Sequence, residues 1–167
     1  MNTKQFVRVA MLTALACVLT IVPKVTIGGG YVHFGDCIIY VAAMILGPIP
    51  GAIVGAIGHS LADFISGYPI FCIPTFIIKG IEGLVAGMIA HKYSVNKNFV
   101  NVYTILASVV AMVIMVVGYF LGGSVLEGVS ASIGSVPSNA MQAVASLIIF
   151  FVLGFALYKA KIYKYFD

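Results

Sequence analysis

Two charged side chains, Lys79 and Glu82, lie within the apolar stretch FIIKGIEGLVAG, residues 76–87. On a helix, residues three apart share a face, so the ammonium and the carboxylate can form an ion pair. Ionisable residues at membrane depth either mark a substrate path or form a structural pair. The spacing leaves both roles open, and we expect at least one of the two residues to contact a ligand.

Further polar groups lie in the neighbouring apolar runs. His59 and Asp63 are four residues apart and therefore share one helix face. Asp36 opens another run after YVHFG, where an N-cap is the role expected of Asp. The remaining candidates for a binding site are His33, Tyr68, Tyr119, Asn139 and Gln142. The last two could offer amide groups to a ligand or could cap the start of the last helix.

The sequence carries no motif of a familiar enzyme class. The patterns H-E-x-x-H, G-x-S-x-G and G-x-x-x-x-G-K-[ST] are absent, so ATP hydrolysis would have to come from a partner. Cys17, Cys37 and Cys72 lack the C-x-x-C spacing of a metal or redox site and are expected to act as small hydrophobic residues. We expect neither a bound metal nor a cofactor.

The residues described so far leave three kinds of function open. A membrane enzyme could use Asp63 or Glu82 as an acid or base, but a second catalytic group is missing. An ion-coupled secondary transporter could use the same carboxylates, but the chain shows no convincing inverted repeat. A purely structural subunit would leave the buried charges unexplained.

The amino-acid composition indicates whether water or lipid surrounds this protein. Of 167 residues, 62% are hydrophobic and 8% are charged, and the mean hydropathy is +1.13. So few charges cannot cover a water-exposed surface, so lipid must be the solvent. The net charge of +4 does not indicate nucleic-acid binding, because the basic residues bracket apolar runs instead of forming a patch with aromatic residues.

The apolar runs predict an all-α integral membrane protein with six transmembrane helices in a single domain, residues 1–167. The predicted spans are 6–22, 36–47, 48–66, 72–91, 101–123 and 138–159. The second is short for a bilayer, so we expect it to extend upstream and to form a hairpin with the third. Five full spans with one re-entrant segment are the alternative.

Basic residues predict the orientation of the spans. Seven lie on one side of the six-span topology, namely Lys4, Arg8, Lys92, Lys97, Lys159, Lys161 and Lys164, whereas Lys24 lies on the other. The positive-inside rule then places both termini in the cytoplasm. The loops 23–36, 66–74 and 122–139, which mix glycine or proline with polar groups, would face outward.

The first apolar run contains two small residues four apart, Ala10 and Ala14. Small residues at this spacing allow another helix to approach closely in lipid. The pair could serve packing within the protein or contact with a partner.

Residues 30–91 carry the elements G-D, L-G-P, L-A-D, S-G-Y and K-G-x-E-G in this order. This block resembles the S components, or substrate-binding subunits, of energy-coupling factor (ECF) vitamin transporters. It is similar to the branch that includes carriers of riboflavin, pyridoxine and hydroxymethylpyrimidine. Residues 92–167 match only in their pattern of apolar runs.

The resemblance implies a six-helix bundle in a prokaryotic plasma membrane that holds a small vitamin near its outer face, gated by the first and third outward loops. It implies a transmembrane T component, onto which Ala10 and Ala14 would dock, and two cytoplasmic ATPases. We expect a pyridoxine-like or hydroxymethylpyrimidine-like ligand ahead of riboflavin. Such a ring would stack on Tyr or Phe and bond to the candidate residues Asp63, Lys79, Glu82 and Asn139.

Overall fold

The computed structural model describes residues 2–22, 25–27, 30–94 and 100–160. Within these residues it contains six α-helices, one two-stranded sheet and a short 3₁₀ helix at Pro69–Phe71. The helices are α1 (Thr3–Ile21), α2 (Asp36–Leu46), α3 (Pro48–Ile65), α4 (Cys72–Ser94), α5 (Val102–Leu126) and α6 (Val129–Lys159). All except α2 are long and apolar enough to cross a membrane. The chain is an all-α membrane protein.

The second helix does not extend upstream as expected. It starts at Asp36 and has 11 residues, or about 16 Å, roughly half the thickness of a bilayer core. The strands β1 (Val25–Ile27) and β2 (Gly30–Val32) precede it and pair antiparallel, with Thr26 opposite Tyr31. The β-branched and aromatic residues on both sides of the glycines favour strands over helix, which explains the difference.

The hairpin of β1 and β2 and the 3₁₀ helix define one end of the bundle, which we call the hairpin end. The start of α1 and the ends of α4 and α6 define the opposite, terminal end. Lys4, Arg8, Lys92 and Lys159 belong to the terminal end. The other basic residues used for the orientation, Lys24, Lys97, Lys161 and Lys164, lie outside the described residues.

Helix α2 lies inside the bundle, and each of its first nine residues is buried. Its apolar character on all sides suits a helix that is surrounded by others. The Tyr40 ring meets the Phe150 ring of α6 edge to face, with centroids 5.5 Å apart. Near its terminal end, the Met44 carbonyl accepts a hydrogen bond from the Ser94 hydroxyl at 2.7 Å. This hydrogen bond therefore fixes the position of α2 along the axis of α4.

Helices α3 and α4 pack closely because glycines remove side chains from their contact. A Cβ atom at Gly55 would collide with the backbone carbonyl of Lys79, and one at Gly83 would collide with the backbone of Gly51. Close backbone approach at these positions requires glycine. The contact places Lys79 beside α3 in the middle of the bundle.

The predicted outward loop at 122–139 is wrong. Helix α5 continues to Leu126 and α6 begins at Val129, so only two residues separate the helices. Gly128 has a φ of 92°, which favours glycine and allows the sharp turn. Pro137 lies inside α6 rather than ahead of it. Ser135 and Ser138 donate side-chain hydrogen bonds to the carbonyls of Ser132 and Ser135, one turn earlier in the same helix.

Candidate functional site

A buried polar cluster lies at the depth where α2 begins. We call Asp36, Tyr40, Lys79, Glu82 and Gln142 the inner layer; all are at most 3% exposed. The Lys79 ammonium lies 2.6 Å from Asp36 Oδ1 and 2.9 Å from Glu82 Oε2. The i,i+3 ion pair predicted from the sequence is therefore present, and a second carboxylate shares its cation.

Neutral donors complete the inner layer. The Tyr40 hydroxyl donates to Glu82 Oε1 at 2.8 Å, and Gln142 Nε2 donates to Asp36 Oδ2 at 3.0 Å. Both carboxylates thus have a protein donor on each oxygen, as buried charges require. The contacts join α2, α4 and α6.

The expectation that Asp36 is an N-cap is wrong. Gly35 occupies the cap position and Asp36 is the first residue of α2. Its side chain points to Lys79 and Gln142 instead of to the first turn of its own helix. The start of a helix carries partial positive charge, so this position also stabilises the carboxylate.

His59 lies beside the inner layer, on α3. Its Nδ1 is 3.2 Å from the Gly55 carbonyl, which accepts a hydrogen bond if this nitrogen carries the hydrogen. Its Nε2 lies 3.1 Å from Asp36 Oδ1, but no described group makes a geometrically acceptable hydrogen bond to it. The side chain is 1% exposed, so water does not supply a partner freely.

A second group of side chains lies closer to the hairpin end. We call Tyr31, Asp63, Thr75 and Tyr119 the outer layer. Asp63 accepts hydrogen bonds from the Tyr31 hydroxyl at 2.6 Å and from the Thr75 hydroxyl at 2.5 Å. Thr75 is also 3.1 Å from the Tyr119 hydroxyl. The layer ties the hairpin to α3, α4 and α5.

The hydroxyl of Tyr31 remains a donor under ordinary conditions. The Tyr31 hydroxyl lies 2.6 Å from Asp63 Oδ1, to which it donates. The bond to Asp63 therefore holds the second strand of the hairpin against α3.

Aromatic rings extend from the outer layer toward His59. The Tyr31 centroid lies 5.8 Å from that of Tyr68 and 5.7 Å from that of His33, and His33 lies 5.5 Å from His59. Tyr68 is exposed, whereas both histidines are buried. This row of four rings offers faces and edges that a flat ligand could contact.

Most of the residues proposed from the sequence are brought together. His59 and Asp63 share a face of α3, as their spacing predicts, and Tyr119 lies with its ring 5.6 Å from the Lys79 ammonium. Helix α6 begins at Val129, so Asn139, which is half-buried, and Gln142 lie well inside it and do not cap its start.

Sequence reasoning missed Tyr31, Tyr40 and Thr75. Tyr40 lies four residues after Asp36 and therefore shares its helix face, a signal that was available. Thr75 lies four residues before Lys79 in the same way. Nothing local indicates that Tyr31 reaches Asp63, because the contact depends on how the hairpin folds over α3.

Comparison with known families decides what kind of protein carries this cluster. The family model described as ECF-type riboflavin transporter, S component, matches residues 1–159. The chain belongs to this family. It is a substrate-binding S component of a vitamin transporter and not an enzyme.

Two relatives extend this assignment. A Pyrococcus woesei protein, described as an uncharacterized protein in the gap 3′ region, is 36% identical over 130 residues, covering 78% of this chain and 84% of the relative. The thiamine precursor transporter HmpT of Lactococcus lactis subsp. cremoris (strain MG1363) is 27% identical over 155 residues. That match covers 91% of this S component and 86% of HmpT.

Proposed function

We propose that this S component captures a small vitamin or vitamin precursor of the pyridoxine or hydroxymethylpyrimidine type, with riboflavin as the next candidate. One observation carries the proposal: a buried cluster of charged, hydroxyl, amide and imidazole groups lies near the hairpin end of an otherwise apolar bundle. Polar groups at this depth are costly unless they serve packing or binding. Similarity to a thiamine precursor transporter supports a small heterocycle.

The two layers have different proposed roles. The outer layer, with Tyr68, His33 and His59, supplies rings and hydrogen-bonding groups around a bound heterocycle. The inner layer fixes the charges beneath it, because Lys79 and Glu82 already satisfy one another and their neighbours. We also propose direct contact with the ligand by one or more of five further residues, namely Lys79, Glu82, Asp36, Gln142 and Asn139.

The proposed partners are a transmembrane T component and two cytoplasmic ATPases, in the plasma membrane of a prokaryote. Ala10 and Ala14 are both exposed on the surface of α1, next to the exposed side chains of Met11 and Leu15. A surface on which small residues alternate with large apolar ones suits a helix contact in lipid. The partner ATPases would supply the phosphate-binding loops that this chain lacks.

Binding can be tested with the full chain purified in detergent. Native mass spectrometry would identify any small molecule retained by the protein, and calorimetry would measure its affinity. Asp63→Asn should weaken binding by about 1.5–3 kcal/mol, the range for a hydrogen bond that involves a charged group. Ser94→Ala is the matched control, because it removes a buried hydroxyl at the terminal end.

Failure to bind any vitamin-like heterocycle would contradict the proposal. Equal affinities of the wild type and a folded Asp63→Asn variant would remove Asp63 from the site without affecting the assignment to the family. Loss of binding in Ser94→Ala to the same degree would show that binding responds to general destabilisation.

A further inference from the structure

We propose that the terminal end of the bundle binds anionic phospholipids, with Lys92 and Lys159 contacting their phosphate groups and exposed apolar side chains contacting their acyl chains. This surface lies away from the buried polar cluster, and its function is additional to vitamin binding. Two features support the proposal, namely the distribution of charge and the aromatic residues that lie beside the lysines.

The terminal end presents cations without matching carboxylates. Lys4, Lys92 and Lys159 are exposed there, on α1, α4 and α6. In the described part of the chain, no carboxylate forms an ion pair with any of these three lysines. The chain has five acidic residues: Asp36, Asp63 and Glu82, which are buried toward the hairpin end, Glu127, which follows α5 at that end, and Asp167, which lies outside the described residues. The described residues therefore leave an excess of positive charge at the terminal end.

Lys159 lies beside an exposed aromatic ring near the end of α6. Its ammonium is 5.1 Å from the centroid of the Phe155 ring, and the Phe155 side chain is 52% exposed. Val152, about one turn earlier on the same helix, is also exposed. A lysine whose aliphatic stem lies along apolar surface can hold its ammonium at the level of lipid headgroups. Phe155 and Val152 would then face the acyl chains below.

A stacked pair of tyrosines lies next to Lys92. The rings of Tyr93 and Tyr103 are nearly parallel, with centroids 3.7 Å apart, and both side chains are exposed. The Asn101 side chain caps α5 and donates to the Tyr93 carbonyl at 3.2 Å, which joins the end of α4 to the start of α5. Tyrosine is enriched where a membrane meets water. This pair therefore indicates that Lys92 lies at the level of the headgroups.

An anionic phospholipid matches both features. Its headgroup carries a net negative charge that attracts lysine, and its acyl chains suit the apolar side chains beside Lys159. A zwitterionic phospholipid carries a cation next to its phosphate, so it gains less from the lysines. Free phosphate supplies the charge but has no apolar part. Anionic lipids also give the cytoplasmic leaflet its negative surface potential, and the terminal end is proposed to face that side.

Competition between two lipids tests the proposal with the full chain. The purified protein would be placed in nanodiscs that contain equal amounts of phosphatidylglycerol and phosphatidylcholine. Native mass spectrometry would then count the lipids that stay bound when the protein is released. Phosphatidylglycerol should be retained preferentially, and added salt should lower the preference because it screens exposed charges.

Lysine variants locate the surface. Lys92→Gln and Lys159→Gln should each lower the preference about fivefold, which corresponds to about 1 kcal/mol for one basic residue near an anionic surface. Lys92→Arg and Lys159→Arg keep the charge and should retain the preference. Ser130→Glu is the matched control, because it makes the same change in net charge at an exposed position of the hairpin end. Thermal unfolding shows whether each variant is folded, and the arginine variants and the salt series decide the matter if a glutamine variant is not.

Several outcomes would overturn the proposal. Equal retention of the two lipids by the wild type is one, and a preference that persists in Lys92→Gln combined with Lys159→Gln is another. A decrease of the same size in Ser130→Glu would mean that net charge, and not this surface, selects the lipid. A thermal shift that inorganic phosphate alone produces in detergent, as large as that from phosphatidylglycerol, would assign the surface to the free anion. Vitamin binding is measured separately, so none of these outcomes bears on the proposed function.

Discussion

Lys79 is held between two carboxylates rather than one. Its ammonium contacts Asp36 and Glu82, which lie on different helices, at 2.6 and 2.9 Å. Removing one carboxylate therefore leaves the cation with a partner, whereas removing the cation leaves two carboxylates facing each other. This asymmetry could not be anticipated from the i,i+3 spacing of Lys79 and Glu82 alone.

We predict that Lys79→Met destabilises the protein far more than Glu82→Gln. Breaking a buried ion pair by removing one partner costs about 3–5 kcal/mol, because the remaining charge is uncompensated. Glu82→Gln keeps an acceptor for Tyr40 and leaves the pair of Lys79 and Asp36 intact, so its cost should be about 1 kcal/mol. Unfolding in detergent, followed by circular dichroism, measures both.

The double variant Lys79→Met, Glu82→Gln checks the role of Asp36. An isolated pair of Lys79 and Glu82 would recover most of its stability when both charges are removed. Because Glu82 loses its charge but Asp36 keeps its own, we expect the double variant to recover only part of the stability that Lys79→Met loses. Full recovery would contradict the three-residue arrangement. Ligand affinity equal to that of the wild type in a folded double variant would exclude Glu82 as a ligand contact.

At the scale of elements, α2 and the hairpin together occupy the place of one full span. Helix α2 begins in the interior of the bundle, where Asp36 meets α4 and α6. The hairpin takes the place of the missing helical turns and brings Tyr31 to Asp63. Polar backbone that is not helical can exist at this depth only where protein surrounds it or a cavity lies beside it. The arrangement therefore brings polar groups of the hairpin, α2 and α3 close to one another.

Helix α1 carries a prediction of its own. Ala10→Trp or Ala14→Trp should abolish vitamin uptake in cells that also express the T component and the ATPases, because a bulky side chain prevents close approach of a partner helix. Binding by the purified S component should change little, since both alanines are exposed. Val113→Trp, at an exposed position on α5, is the control.

The docking hypothesis is excluded if binding and uptake fall together in the two alanine variants. That result would mean that the substitutions disturb the bundle itself. Uptake that survives in both variants would place the partner surface elsewhere.

At the scale of the whole molecule, the basic residues and the buried carboxylates lie toward opposite ends of the bundle. The described basic residues at the terminal end are Lys4, Arg8, Lys92 and Lys159, whereas the buried carboxylates lie toward the hairpin end. Large apolar side chains on α1, α4, α5 and α6 face outward. This distribution suits a bundle that is surrounded by lipid, and under the positive-inside rule it supports the proposal that the basic end faces the cytoplasm.

Cysteine labelling tests this orientation in intact cells. A background in which Cys17, Cys37 and Cys72 are replaced by serine or alanine removes the native thiols. A cysteine at Ser130, an exposed position at the hairpin end of α6, should react with an impermeant reagent from outside. A cysteine at Asn98, which lies outside the described residues, should react only after the cells are opened. The opposite pattern would reverse the topology.

The amino-acid sequence by itself determined the solvent, the number of helices and the location of the charged residues. Apolar runs predict helices because lipid cannot satisfy backbone polar groups, so α3 and α4 begin at the residues predicted for them. The contact between Lys79 and Glu82 follows from helix periodicity, which is a local property. The resemblance of residues 30–91 to S components was confirmed by a match over residues 1–159.

Tertiary structure alone decided how these groups meet. Asp36 contacts Lys79, His59 and Gln142, residues that lie 43, 23 and 106 positions away along the chain, because glycines let α3 and α4 approach closely and α2 lies between α4 and α6. Pro137 predicts a loop locally, yet α6 continues through it within the packed bundle. Local pattern determines which residues form a helix, whereas the charge balance of a buried cluster depends on every element that reaches it.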